Sequence, residues 1–106
     1  VQSLISAAHG NLAWNLLFAK HFPEAEVAAR EGLATDPSQI WINTNLALAL
    51  LYQGKFEEAK ALYLRFKDQT IDEKRFFKAA FLQDLRDLEA AGITHPDVTK
   101  IRWLLE

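Results

Sequence analysis

The side chains able to do chemistry in this chain are few, and their spacing does not assemble them. Three histidines, His9, His21 and His95, share no spacing that would converge on a metal, and no His-Glu-x-x-His pattern is present. Ser3, Ser6 and Ser38 have no partnered base of the kind that activates a hydroxyl. The carboxylates Glu24, Glu26, Glu57 and Glu58 fall where helices should begin, and the helix dipole favours negative charge there without any acid–base role. The chain has no cysteine, which excludes disulfides and thiolate metal sites, and no glycine-rich phosphate loop. These absences predict a non-enzyme with no cofactor and no metal. Recognition is the chemistry left, and which residues perform it depends on the elements that hold them.

Composition narrows the partners. The 106 residues suffice for one compact domain or a short array of repeats, and half of them are hydrophobic, ample for a core. Twelve basic residues stand against fourteen acidic ones, a formal net charge of −2. Broad nucleic-acid binding needs a positive excess near the phosphates, so no nucleic-acid partner is expected. No apolar run reaches the roughly 20 residues that cross a bilayer, so no membrane partner is expected either. Val1 in place of an initiator Met, and the apolar close Leu104-Leu105-Glu106, point to a fragment of a longer protein.

The elements read as six helices. The first covers about residues 2–20, with Leu4, Ile5, Ala8, Leu12, Ala13 and Leu16 as its buried stripe and Gly10 inside it. Pro23 suits the first turn of the second helix, about 23–35, where a missing N–H is no loss; Phe22, Ala25, Ala29 and Leu33 point inward. Asp36-Pro37-Ser38 breaks the pattern and offers capping side chains for a third helix over about 39–53. Gly54 closes that helix as a left-handed cap. A fourth helix spans about 56–68, with Phe56, Ala59, Tyr63 and Phe66 in line. Thr70-Ile71-Asp72-Glu73 has the form of a capping box and predicts a long fifth helix over about 71–91, with Phe77, Phe81, Leu85 and Leu88 inward. Gly92 ends it, and Thr94-His95-Pro96 opens a sixth helix carrying Val98, Ile101 and Leu105 inward.

The chain also repeats itself. Offset by 34 residues, Asn11 meets Asn45, Leu12 meets Leu46, Ala13 meets Ala47 and Leu16 meets Leu50. Phe22 likewise meets Phe56, Glu24 meets Glu58 and Ala25 meets Ala59. The stretch from Thr44 to Tyr63 is the clearest unit: a helix, a sharp turn at Gly54 and a helix folded back, with small Ala47 and Ala59 letting the two backbones approach. This pattern resembles the tetratricopeptide repeat family. The second unit supplies Leu46, Ala47, Leu50, Gly54, Phe56, Ala59 and Tyr63; the first supplies Leu12, Ala13, Leu16, Phe22, Ala25, Ala29 and Pro37. The departures are His9 and Asn43 where the family often has Trp, Lys20 in place of the first turn glycine, and Ile71 where a second Pro would fall. The resemblance implies an all-α single domain over 1–106, its antiparallel hairpins stacked as a right-handed superhelix. Repeat one is 6–37, repeat two is 38–70, and 71–106 is a divergent repeat or end cap, since a terminal repeat has one face without a neighbour.

The resemblance further places the first helix of each pair on a concave face. The exposed concave positions would then be Gly10, Asn11, Trp14, Leu17 and Phe18, with Trp41, Thr44, Asn45, Leu48 and Tyr52 from the second unit. Large apolar groups facing water mark contact surfaces, and aromatics dominate binding energy there. Trp14 and Trp41 are open to a second reading, packing under a neighbouring repeat. In one subset of the family a Lys/Asn clamp holds a peptide's terminal carboxylate; Asn45 matches it and Lys74 and Lys78 offer its basic pair, but Gly10 and Trp14 replace the first-unit Lys and Asn. The expected function is a protein-interaction module that binds a peptide or partner segment in the groove. The alternative is a structural spacer, or a self-association unit forming a homo-oligomer through exposed repeat ends such as Trp103-Leu104-Leu105.

Overall fold

A computed structural model describes all 106 residues. The chain is all-α: α1 (Gln2–Phe18), α2 (Phe22–Thr35), α3 (Ile42–Tyr52), α4 (Phe56–Phe66), α5 (Phe77–Ala90) and α6 (Val98–Leu105). The only extended pairing is an isolated antiparallel bridge between Thr70 and Phe76. No helix is long and apolar enough to cross a membrane.

Three helices end in the same turn. Ala19, Gln53 and Ala91 close α1, α3 and α5 with nearly superposable dihedrals: φ −84, ψ 0; φ −89, ψ −2; and φ −86, ψ 4. The next residue is left-handed in each: Lys20 at φ 64, Gly54 at φ 81 and Gly92 at φ 80. The N–H groups of His21, Lys55 and Ile93 then donate back to the carbonyls of Leu16, Leu50 and Leu88 at 2.9, 3.0 and 2.9 Å. This is the Schellman arrangement, which satisfies carbonyls that a helix end would otherwise orphan. Glycine enters it without steric cost, whereas Lys20 does not. The first two turns lie 34 residues apart and lead straight into α2 and α4, through His21 (φ −94, ψ 68) and Lys55 (φ −83, ψ 63). The third follows the second by 38, because the connection 67–76 is longer than 36–41.

The helices around the core choose their faces for different reasons. Every residue of α3 is buried, so it forms the centre against which α1, α2, α4 and α5 pack. On α4 the residues Ala59, Tyr63 and Phe66 are buried as expected, with Phe56 half-buried, and so are Val98, Ile101 and Leu105 on α6. Tyr63 and Phe81 meet edge to face at 4.6 Å, and Phe77 packs on Phe66 at 5.0 Å.

Two expectations are corrected. On α1 the buried residues are Ser6, Gly10, Ala13 and Leu17, while Leu4 is 77 % exposed and Ile5, Ala8 and Leu12 also face outward. Of the expected stripe only Ala13 is buried. α1 is apolar on two sides, and the side chosen is the one where neighbours come closest. A Cβ on Gly10 would lie 2.5 Å from the Trp41 ring, and one on Gly32 would lie 3.1 Å from the Ser6 carbonyl. Ser6 Oγ donates to the Gly32 carbonyl at 2.7 Å, so the seam is polar as well as narrow. The second correction is the start of α5, which begins at Phe77 and not near Ile71. The Asp72 carboxylate accepts from the Lys74 and Arg75 N–H groups at 2.9 and 3.0 Å, and the Arg75 carbonyl accepts from Ile71 N–H at 2.8 Å. The aspartate side chain thus holds a local turn that competes with the helix the capping box would begin.

Candidate functional site

α1, α3 and α5 bring together one recess lined by both indoles and polar side chains. It has a volume of about 200 Å³ and is lined by Asn11 and Trp14 of α1, Trp41, Thr44 and Asn45 at the start of α3, and Asp84 of α5. Each wall is held. Trp41 lies against Gly10, which leaves no room for a side chain beneath the ring, and its indole N–H donates to Gln39 Oε1 at 2.9 Å. Asn45 Nδ2 donates to the Gly10 carbonyl at 3.0 Å, tying α3 to α1. Thr44 Oγ1 donates to the Trp41 carbonyl at 2.8 Å. Trp14 packs edge to face on Phe18 at 4.8 Å, and Phe18 is partly exposed and outside the lining.

Asp84 is the residue that sequence reasoning missed. Its carboxylate is part-buried and has no hydrogen-bonding or ion-pair partner within the protein. Burial pushes its pKa up to about 7, the neighbouring Asp87 adds to the rise, and Arg75 opposes it. On α5 it reads as one more polar residue in Gln83-Asp84-Leu85-Arg86-Asp87, and nothing local distinguishes it from Asp87.

The expected binding residues divide. Asn11, Trp14, Trp41 and Asn45 share the recess, with Phe18 beside it. Leu48 and Tyr52 were expected to be exposed; both are buried, Leu48 to 1 % exposure. Tyr52 stacks on Phe22 at 5.2 Å and its hydroxyl donates to the Ile93 carbonyl at 3.1 Å, so it clamps the third turn to the second hairpin. Asn45 is itself 4 % exposed and presents only an edge. Lys74 lies in the turn held by Asp72, and Lys78 lines a separate depression with Lys67, Asp68, Phe76, Ala79 and Leu82. Neither lysine shares the recess with Asn45, so the basic pair and the amide of a carboxylate clamp are not brought together. The displacement follows from the lengthened 67–76 connection, which moves the start of α5.

The histidines sit in local pairs: His21 with Glu24 at 3.0 Å, His9 with Glu31 at 3.6 Å and His95 with Asp97 at 3.8 Å. No three His, Asp or Glu side chains converge on a point that could hold a metal ion. Glu26 is the other shifted carboxylate. Burial would raise its pKa, but bonds from Lys55, Arg30 and Gln53 outweigh that and hold it near 2. It joins α2 to the turn after α3, a structural role.

No protein-family model matches the chain, and no solved structure does. Protein POLLENLESS 3-LIKE 2 of Arabidopsis thaliana is 38 % identical to it over 66 residues, which is 62 % of this chain and 15 % of that protein. The match therefore spans a small part of the relative's length.

Proposed function

We propose that the chain is a protein–protein interaction module of the tetratricopeptide-repeat type, which holds a peptide or partner segment in a groove formed by α1, α3 and α5. The observation that carries this reading is the recess itself. It sets two indoles, two asparagines at equivalent positions of the 34-residue repeat, and a carboxylate without a partner on one accessible wall. The repeat type is supported by the matched turns at Lys20 and Gly54 and by the equal burial of Ala13 and Ala47, and a right-handed superhelix is what that type implies. Trp14→Ala tests the binding reading, since Trp14 is half-buried on the groove side and Tyr52 is core. Affinity capture with the wild type and this variant, beside their melting curves, should show a retained partner lost while the variant still unfolds in one cooperative transition, its melting temperature lowered only by the loss of a half-buried ring. Equal capture by both proteins would refute the groove.

A second reading, self-association, is favoured by a different observation. Leu12 is about half exposed on α1, whereas its counterpart Leu46 is buried on α3, and Trp103 is 82 % exposed at the other end. Sedimentation over a wide concentration range decides it; a strict monomer throughout excludes it.

A further inference from the structure

We propose that the recess between α1, α3 and α5 takes the guanidinium head of an arginine side chain, set against the indoles of Trp14 and Trp41 and the carboxylate of Asp84. This deepens the groove reading and rests on it. The first argument is charge. Asp84 has no cation beside it in the protein, and no lysine or arginine lines the recess. The charged groups acting on Asp84 are Asp87 of α5, which repels it, and Arg75 of the 67–76 connection, which is already paired with Asp72 at 3.1 Å. α1 and α3 bring only neutral side chains to this wall. A part-buried carboxylate left so is poised for a positive group from outside.

The second argument is the hydrogen-bonding inventory. Asn45 commits one of its two amide N–H bonds to the Gly10 carbonyl, and Thr44 commits its hydroxyl proton to the Trp41 carbonyl. The side-chain oxygens of both residues accept no bond within the protein, and both residues line the recess. With the two oxygens of Asp84, the wall is rich in acceptors. A guanidinium has five N–H donors in one plane and no acceptor, which matches such a wall. The third argument is the rings. Cations sit favourably over indole faces, and the planar guanidinium also stacks on them, which an ammonium does not. Trp41 cannot retreat freely, because Gln39 holds its N–H and Gly10 lies beneath it.

The experiment uses N-acetyl-arginine amide as probe, with N-acetyl-citrulline amide as its neutral isostere and N-acetyl-lysine amide as the unstacked cation. Titrations are followed by the indole N–H signals of Trp14 and Trp41, with exposed Trp103 as internal control. At pH 8 Asp84 is ionised, its pKa being about 7. The arginine probe should shift Trp14 and Trp41 saturably and leave Trp103 in place. Citrulline should bind about tenfold more weakly, as loss of a cation–π contact and a charge-assisted bond implies, and lysine should fall between. Asp84→Asn should bring arginine binding down to the citrulline level, with the rest of its spectrum superposing on the wild type. Equal response to arginine and citrulline, or full arginine binding by the Asn variant, overturns the assignment. If the citrulline probe moves Trp14 and Trp41 as far as the arginine probe, the groove stands and the arginine site falls. If no probe moves either signal, the arginine site falls, and the Trp14→Ala capture decides the groove separately.

Discussion

Replacing Asp84 with Asn should make this protein more stable, and only above acidic pH. The carboxylate is part-buried beside α1 and α3, with no hydrogen bond or ion pair to offset its charge. Its pKa rises from an ordinary 3.8 to about 7, chiefly through burial, then through Asp87, with Arg75 opposing. A raised pKa on an acid means that the folded state holds the proton more tightly than the unfolded chain. Stability is then fully present below pH 4, falls as pH rises to about 7, and stays level above. At about 1.4 kcal/mol for each pKa unit, the full gap is worth about 4 kcal/mol at pH 8. Solvent still reaches the carboxylate, and the asparagine amide must itself be desolvated, so about 2 kcal/mol is the expected gain. Urea unfolding of both proteins between pH 3 and pH 8 measures it. Their midpoints should coincide at pH 3, separate between pH 4 and pH 7, and stay apart above, at equal m-values. A gain of the same size at every pH, or none at pH 8, would refute an unpaired buried charge. A stabilising substitution that also removes ligand binding is the trade expected where a destabilising group serves a site.

Two further substitutions test the packing. Tyr63→Phe should stabilise by about 1 kcal/mol, because the Tyr63 hydroxyl is buried without a partner while the ring keeps its edge contact on Phe81. A clear loss in thermal denaturation would mean the hydroxyl is satisfied in solution. Lys20→Gly should stabilise by about 0.5 kcal/mol, since it relieves a left-handed residue at a cost to unfolded-state entropy. Destabilisation in urea titrations would instead assign the Lys20 side chain a contact of its own.

What the amino-acid sequence determined by itself is local. The three turns are legible because Gly54 and Gly92 meet the need for a left-handed residue, and the 34-residue offset extends that reading to Lys20. α4 and α6 each carry one apolar stripe, so their buried faces follow from spacing alone. α1 and α3 do not behave that way. α3 is apolar almost all round and is swallowed whole, taking Leu48 and Tyr52 with it. α1 has two apolar sides, and the closer approach at Ser6, Gly10 and Ala13 leaves Leu4 and Leu12 in solvent. α5 starts later than its capping-box sequence implies because one carboxylate, Asp72, holds a turn where a helix could equally begin. The recess belongs wholly to the tertiary structure. Asp84 lies 73 positions from Asn11 and meets it only because α3 seats both neighbouring helices. Helical periodicity reports which residues share a face, whereas the partner of that face is set by how closely backbones can pack.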